Sequence, residues 1–136
     1  MNNNDLTGTV PDSLFSPIMR SIELSNNTKL GGTLPETIGS AVELRQVLVQ
    51  NCTMEGSIPI GLYSLPELRD LNLAYNNFGG PLAGPFSQLT QLSNLRLNNN
   101  EFTGAVPADE FVQLESLSEC STMSVNMLVT FGSFCF

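Results

Sequence analysis

Few side chains in this 136-residue chain could carry chemistry, and their spacing narrows it further. No histidine is present, which removes every Ser-His-Asp triad and every His-ligated metal site. The three cysteines stand at 52, 120 and 135, without the C-x-x-C spacing of a zinc site or redox pair. Asp109-Glu110, Glu115 and Glu119 are close in sequence, but glycosidase chemistry needs two acids facing one cleft. Gly31-Gly32 and Gly79-Gly80 are isolated pairs with no P-loop lysine. The chain is therefore expected to be no enzyme and to use no cofactor and no metal. What remains is binding chemistry. Arg20, Arg45 and Arg69 recur at intervals of 25 and 24 residues, and guanidinium groups take carboxylates. The sequons Asn26-Asn27-Thr28 and Asn51-Cys52-Thr53 offer N-glycosylation on entry to a secretory pathway.

Composition limits the partners. Five Lys+Arg against thirteen Asp+Glu give a net charge of −8, with a sequence pI of about 4.1. Nucleic acid needs a basic footprint and is disfavoured, and an anionic membrane surface is disfavoured for the same reason. No window approaches the run of about 18 apolar residues that spans a membrane. Charged residues make up 13% of the chain, about half the usual share, so Asn, Ser, Thr and Gln cover its surface instead. The start, Met1-Asn2-Asn3-Asn4, has no basic or apolar leader and opens inside a repeat. It reads as a fragment of a longer product.

That repeat is what must position the polar groups. Gly8, Gly32, Gly56, Gly80 and Gly104 lie 24 residues apart. Each has an apolar residue two before it (Leu6, Leu30, Met54, Phe78, Phe102) and two after (Val10, Leu34, Ile58, Leu82, Val106). Proline follows in four copies, Pro11, Pro35, Pro59 and Pro107. A fixed period in this range marks a solenoid whose units bury their faces only against their neighbours. Upstream of each glycine runs a second pattern: Leu68-x-x-Leu71-x-Leu73-x-x-Asn76, Leu92-x-x-Leu95-x-Leu97-x-x-Asn100, and Leu44-x-x-Val47-x-Val49-x-x-Cys52. Met19-x-x-Ile22-x-Leu24 arrives one residue early, the extra residue falling at Thr28-Lys29. The period-2 alternation predicts short strands with one buried face, stacked in parallel. Asn76 and Asn100 are expected to satisfy backbone groups freed at the turn, with Cys52 a small residue of the same ladder. Single helical turns or extended pieces are expected after the prolines, anchored by Leu14 and Ile18, Ile38 and Val42, Leu62 and Leu65, Phe86 and Leu89, and Phe111 and Leu114.

The combined string, L-x-x-L-x-L-x-x-N-x-L-x-G-x-I-P, resembles the plant-type leucine-rich repeat, with Leu71 to Leu82 and Leu95 to Pro107 the nearest copies. The resemblance implies an α/β, right-handed leucine-rich-repeat solenoid with parallel strands on its concave face and short helical or extended segments on its convex face. Residues 1–120 form the array, about five repeats with the first partial, and 121–136 form an irregular tail and candidate cap. In that family the module is an extracellular ectodomain of a receptor kinase or receptor-like protein, or a secreted polygalacturonase inhibitor. Ala83-Gly84-Pro85 departs from the pattern, and no cysteine-bearing N-terminal cap or kinase domain accompanies it.

On such a fold the outward strand positions read Ser21, Glu23, Ser25; Gln46, Leu48, Gln50; Asp70, Asn72, Ala74; Asn94, Arg96, Asn98. The expected site is centred on Leu48, Asn72, Tyr75 and Arg96, where an aliphatic, an aromatic and an arginine fall on adjacent strands. The arginine column Arg20, Arg45, Arg69 either bridges Glu23 or Asp70 or meets an acidic group of the partner. A protein or peptide ligand is the leading expectation. Inhibition of a cell-wall-degrading enzyme and glycan or ice binding are the alternatives, and self-association through uncapped ends is a further expectation. Cys120 and Cys135 could close a disulfide loop in the tail.

Overall fold

The computed structural model describes residues 2–105 and 107–121. Its strands fall into two parallel sheets that run the length of the array. β2 (Ser21–Glu23), β4 (Gln46–Leu48), β6 (Asp70–Asn72), β8 (Asn94–Arg96) and β10 (Glu119–Ser121) line the concave face in that order. Their register aligns Ile22, Val47, Leu71, Leu95 and Cys120 in one row. Ile22, Val47, Leu71 and Leu95 are buried, as are Leu24, Val49, Leu73 and Leu97 two residues on. This is the alternation that the Leu-x-Leu spacing dictates. β10 extends the sheet into a stretch where the apolar pattern breaks, since Cys120 holds the register position of Leu95.

The second sheet is a feature that the sequence pattern did not announce. β1 (Thr7–Thr9), β3 (Lys29–Gly32), β5 (Thr53–Gly56), β7 (Asn77–Pro81) and β9 (Glu101–Thr103) pair in parallel just after the concave strands. Each ends near the recurring glycine. Gly32 and Gly56 have φ of +73° and +81°, and a Cβ at either would come within 2.5 Å and 2.8 Å of Thr9 and Thr33 side chains. Conformation and close approach therefore both require glycine there.

Beyond the glycines, short 3-10 turns cover the convex side at Asp12–Leu14, Glu36–Ser40, Ile60–Ser64 and Phe86–Gln88, with a four-residue helix α1 at Ala108–Phe111. Pro35 and Pro59 enter their turns at φ −67° and −64°, the value that their rings preset. Two expected anchors are corrected. Ile18 is 77% exposed and Val42 48% exposed, while Phe15 and Ala41 are buried. A 3-10 turn repeats every three residues, so Ile38 is joined in the core by Ala41 at i+3 rather than by Val42 at i+4. Leu62 with Leu65, Phe86 with Leu89 and Phe111 with Leu114 keep that spacing and are all buried.

Adjacent turns are clamped as well as stacked. The Glu36 carboxylate accepts the Ile60 and Gly61 amides at 3.1 and 3.0 Å, satisfying two N–H groups that begin a turn and have no partner within it. The Phe86 ring makes edge contacts with Tyr63 at 5.0 Å and Phe111 at 4.8 Å, linking three consecutive coils. Phe78 and Phe102 are parallel at 6.5 Å under the second sheet.

Candidate functional site

The buried ladder at the end of each concave strand fixes the surface above it. Asn76 Oδ1 accepts the Met54 amide at 3.1 Å, and its Nδ2 donates to the Val49 and Leu73 carbonyls at 2.8 and 3.1 Å. Asn100 repeats this one coil later, with the Phe78 amide and the Leu73 and Leu97 carbonyls. Asn27, not singled out from the sequence, does the same work, accepting the Leu6 amide at 3.2 Å and donating to Leu24. Its place, three residues after Leu24, was the available signal. Cys52 holds this position in the remaining coil and donates its thiol to the Leu24 carbonyl at 3.4 Å. Burial pushes its pKa up, against a smaller lowering from the Asn27 backbone.

Three rows of side chains face outward from the concave strands. The first is a continuous polar chain. Ser21 donates to Gln46 at 3.4 Å, Gln46 Nε2 donates to Asp70 at 3.2 Å, and Asn94 Nδ2 donates to the other Asp70 oxygen. The second row, Glu23, Leu48, Asn72 and Arg96, is less uniform. Glu23 is bonded by Asn2 and Ser21. Asn72 is 5% exposed, donates to Gln50 Oε1 and accepts the Ala74 amide at 3.2 Å. It acts as floor between its neighbours. Leu48 and Arg96 remain partly exposed on either side of it. In the third row Gln50 and Asn98 are partly open while Ser25 and Ala74 are covered.

The basic groups are largely committed. Arg96 Nη2 meets Glu119 Oε1 at 2.5 Å, a pairing that the sequence left unmarked because Glu119 lies outside the recognisable repeats. Arg20 pairs with Glu43 at 3.0 Å and Arg45 with Glu67 at 3.9 Å. The bridges expected to Glu23 or Asp70 are therefore replaced by bridges to the acids two residues before the next arginine, which lie in the same column one coil on. Lys29 pairs with Asp5. Where that column calls for a third acid, the chain has Gln91. Among the described residues, Arg69 is the basic side chain left without an ion pair.

Tyr75 lies beyond β6 on the rim, 57% exposed. Among the described residues it is one of five non-glycine residues with positive φ, the others being Asn3, Asn26, Asn51 and Asn99. The two sequon asparagines thus stack on adjacent coils. Asn26 Nδ2 donates to Asn3 at 2.8 Å and Asn51 Nδ2 to Asn26 at 2.9 Å. Cys135, the expected partner of Cys120, lies outside the described residues with the rest of the tail from residue 122.

Comparison with known proteins agrees with this geometry. The Leucine Rich Repeat family profile matches residues 67–89. No curated protein matches the chain. Among solved structures, the ectodomain of the receptor kinase SOBIR1 from Arabidopsis thaliana is 28% identical with a TM-score of 0.79, covering 93% of this chain and 68% of that one. The Arabidopsis receptor kinase HAESA ectodomain, solved with an IDA peptide hormone ligand, is 29% identical with a TM-score of 0.79, covering 93% of this chain and 21% of that one. The BIR3–SERK2 complex from Arabidopsis thaliana gives 31% identity and a TM-score of 0.66 over 76% of this chain and 55% of that one. The chain thus spans about a fifth of the HAESA ectodomain and about half of the matched chain in the last complex. No helix among the described residues is long and apolar enough to cross a membrane. With strands, ladder and turns in register over successive coils, the chain is a leucine-rich-repeat array of the plant type.

Proposed function

We propose that the array is a non-enzymatic recognition module that binds a protein or peptide on its concave face, as part of an extracellular receptor-like or secreted protein. The observation that carries this reading is the division of the face into floor and contacts. Asp70, Asn94 and Asn72 are locked to their neighbours by side-chain hydrogen bonds, while Leu48, Gln50, Arg96 and Asn98 stand partly open around them. A preformed polar floor with a few exposed anchors limits the ordering entropy of binding. Arg and aromatic groups are the side chains in which binding energy concentrates. Arg69, without a carboxylate of its own, adds a seat for an acidic group of the partner. The HAESA ectodomain was solved with a peptide hormone and BIR3 with SERK2, which favours a peptide or a second ectodomain as the partner class.

The test is a binding screen of the purified chain against extracellular peptides, receptor ectodomains and pectin-degrading enzymes. A partner whose affinity falls about tenfold or more in Leu48→Asp and Arg96→Ala, equivalent to about 1.4 kcal/mol, supports the concave face. A partner that instead responds to the exposed convex change Gln88→Ala, and not to these, overturns it. Inhibition of a pectin-degrading enzyme by the wild type, lost in the same two variants, would assign the module to inhibitors.

A further inference from the structure

Tyr75 breaks a column that is otherwise built of asparagine. Asn3, Asn26, Asn51, Tyr75 and Asn99 share a left-handed backbone, with φ between 55° and 60°. Asparagine enters that region readily and a large aromatic residue rarely does. Where a residue is held in a disfavoured conformation, the outlier itself points to a function. The amide chain that links Asn3, Asn26 and Asn51 has no continuation at Tyr75, whose ring instead faces solvent at 57% exposure. Asn51 and Asn99 flank it along the column, and Thr53 and Asn77, both exposed, begin β5 and β7 beside it. The nearest carboxylates in register are Glu55, paired with Asn77, and Glu101 at the start of β9. An exposed aromatic face bordered by amides and a hydroxyl suits a ligand with one apolar face and many hydroxyl groups.

We propose that Tyr75 is a stacking platform for a neutral pyranose of the N-acetylglucosamine type. The C–H face of the sugar lies on the ring, whose π surface carries negative potential. Its hydroxyl and acetamido groups bond to the neighbouring amides, which donate and accept. One source of such a sugar is built into the adjoining coil. Asn51 begins the sequon Asn51-Cys52-Thr53, and its backbone amide donates to the Ala74 carbonyl at 3.0 Å, which sets it about one strand spacing, roughly 4.8 Å, from Tyr75. Attachment forms a bond from Asn51 Nδ2 to sugar C1 and breaks the C1–O bond of a lipid-pyrophosphate oligosaccharide donor. The Nδ2 proton and the lipid pyrophosphate are released. The other source is a free saccharide of the same chemistry.

The full chain is made in two forms, secreted from eukaryotic cells behind a leader and unglycosylated from bacteria. In the first arm, glycopeptide mass spectrometry should find a glycan on Asn51. The secreted form should then melt about 2–4 °C above the bacterial one, a gain absent from Asn51→Gln and from Tyr75→Ala. In the second arm, bacterial protein is titrated with N,N′-diacetylchitobiose and followed by tyrosine fluorescence. The chain has no tryptophan and two tyrosines, of which Tyr63 is buried, so a saturable change reports Tyr75. Isothermal titration calorimetry, which does not depend on that fluorophore, should then show binding weakened at least about tenfold in Tyr75→Ala. The first result with no titration signal assigns the sugar on Asn51, and a titration signal assigns a free saccharide. No saturable change, together with either an unoccupied Asn51 or a glycan whose stabilisation survives in Tyr75→Ala, overturns the proposal.

Discussion

The Leu30 amide donates to the Asn27 carbonyl at 2.9 Å and so bypasses Cys52. Its counterparts Leu6, Met54 and Phe78 donate instead to the side chain of Asn27, Asn76 or Asn100 one coil further on. A thiol cannot replace that acceptor. The inserted residue at Thr28-Lys29 makes the local bond available, so the insertion and the cysteine compensate each other across two coils. Restoring the consensus by Cys52→Asn should therefore destabilise unglycosylated protein by about 1–3 kcal/mol, because the new amide oxygen is buried without its donor. Deleting Thr28 in the same chain should recover part of the loss. A double-mutant cycle of unfolding free energies measures the coupling, and a stabilising Cys52→Asn single variant would refute it.

The departure Ala83-Gly84-Pro85 has a packing cause in Tyr63. A Cβ at Gly84 would lie 2.0 Å from Cζ of that ring, which is buried against Phe86. Gly84→Ala should cost about 1–3 kcal/mol through overpacking. The same substitution in a Tyr63→Leu background should cost much less, since the ring is gone. Equal shifts in denaturation midpoint in both backgrounds would locate the strain elsewhere.

The concave strands, the Asn ladder and the glycine turns were legible because each repeats a residue type at a fixed spacing, so a local signal is read several times. The second sheet was not, since β3 and β5 contain glycine and charged residues that carry no strand alternation. Ile18 and Val42 were misplaced because apolar type alone does not separate an i+3 from an i+4 turn. The site was legible by position but not by availability. Asn72 faces outward in register with Leu48 and Arg96, yet its amide is taken by Gln50. Arg96 is met by Glu119, and that depends on β10, where the apolar pattern gives no register.

Acid should unclamp one convex contact selectively. Hydrogen bonds from the Ser87 side chain and then its amide hold Glu110 below the ordinary carboxylate value of 4.5, the amide contact being 2.9 Å. A folded pKa below the unfolded one means that the fold favours the ionised form. The contribution is thus present above the unfolded value and is lost as pH falls through the folded one. Melting temperatures of wild type and Glu110→Gln, compared from neutral pH to about pH 3, should differ at the upper end and converge at the lower. A gap that stays constant with pH would show that Glu110 acts without its charge.

The left-handed column yields a final prediction that separates backbone strain from ring chemistry at Tyr75. Substituting Tyr75→Ala removes the ring but leaves a side-chain-bearing residue at φ 56°, so the conformational penalty stays. Substituting Tyr75→Asn removes both, because asparagine tolerates this region by bonding locally. It also places an amide between Asn51 and Asn99, where the chain Asn3–Asn26–Asn51 is interrupted. In unglycosylated protein Tyr75→Asn should therefore be more stable than wild type by up to about 1 kcal/mol, while Tyr75→Ala should be equal to it or weaker. Chemical denaturation of the three proteins under one condition decides the matter. If asparagine fails to outrank alanine, the penalty assigned to the backbone at Tyr75 is absent.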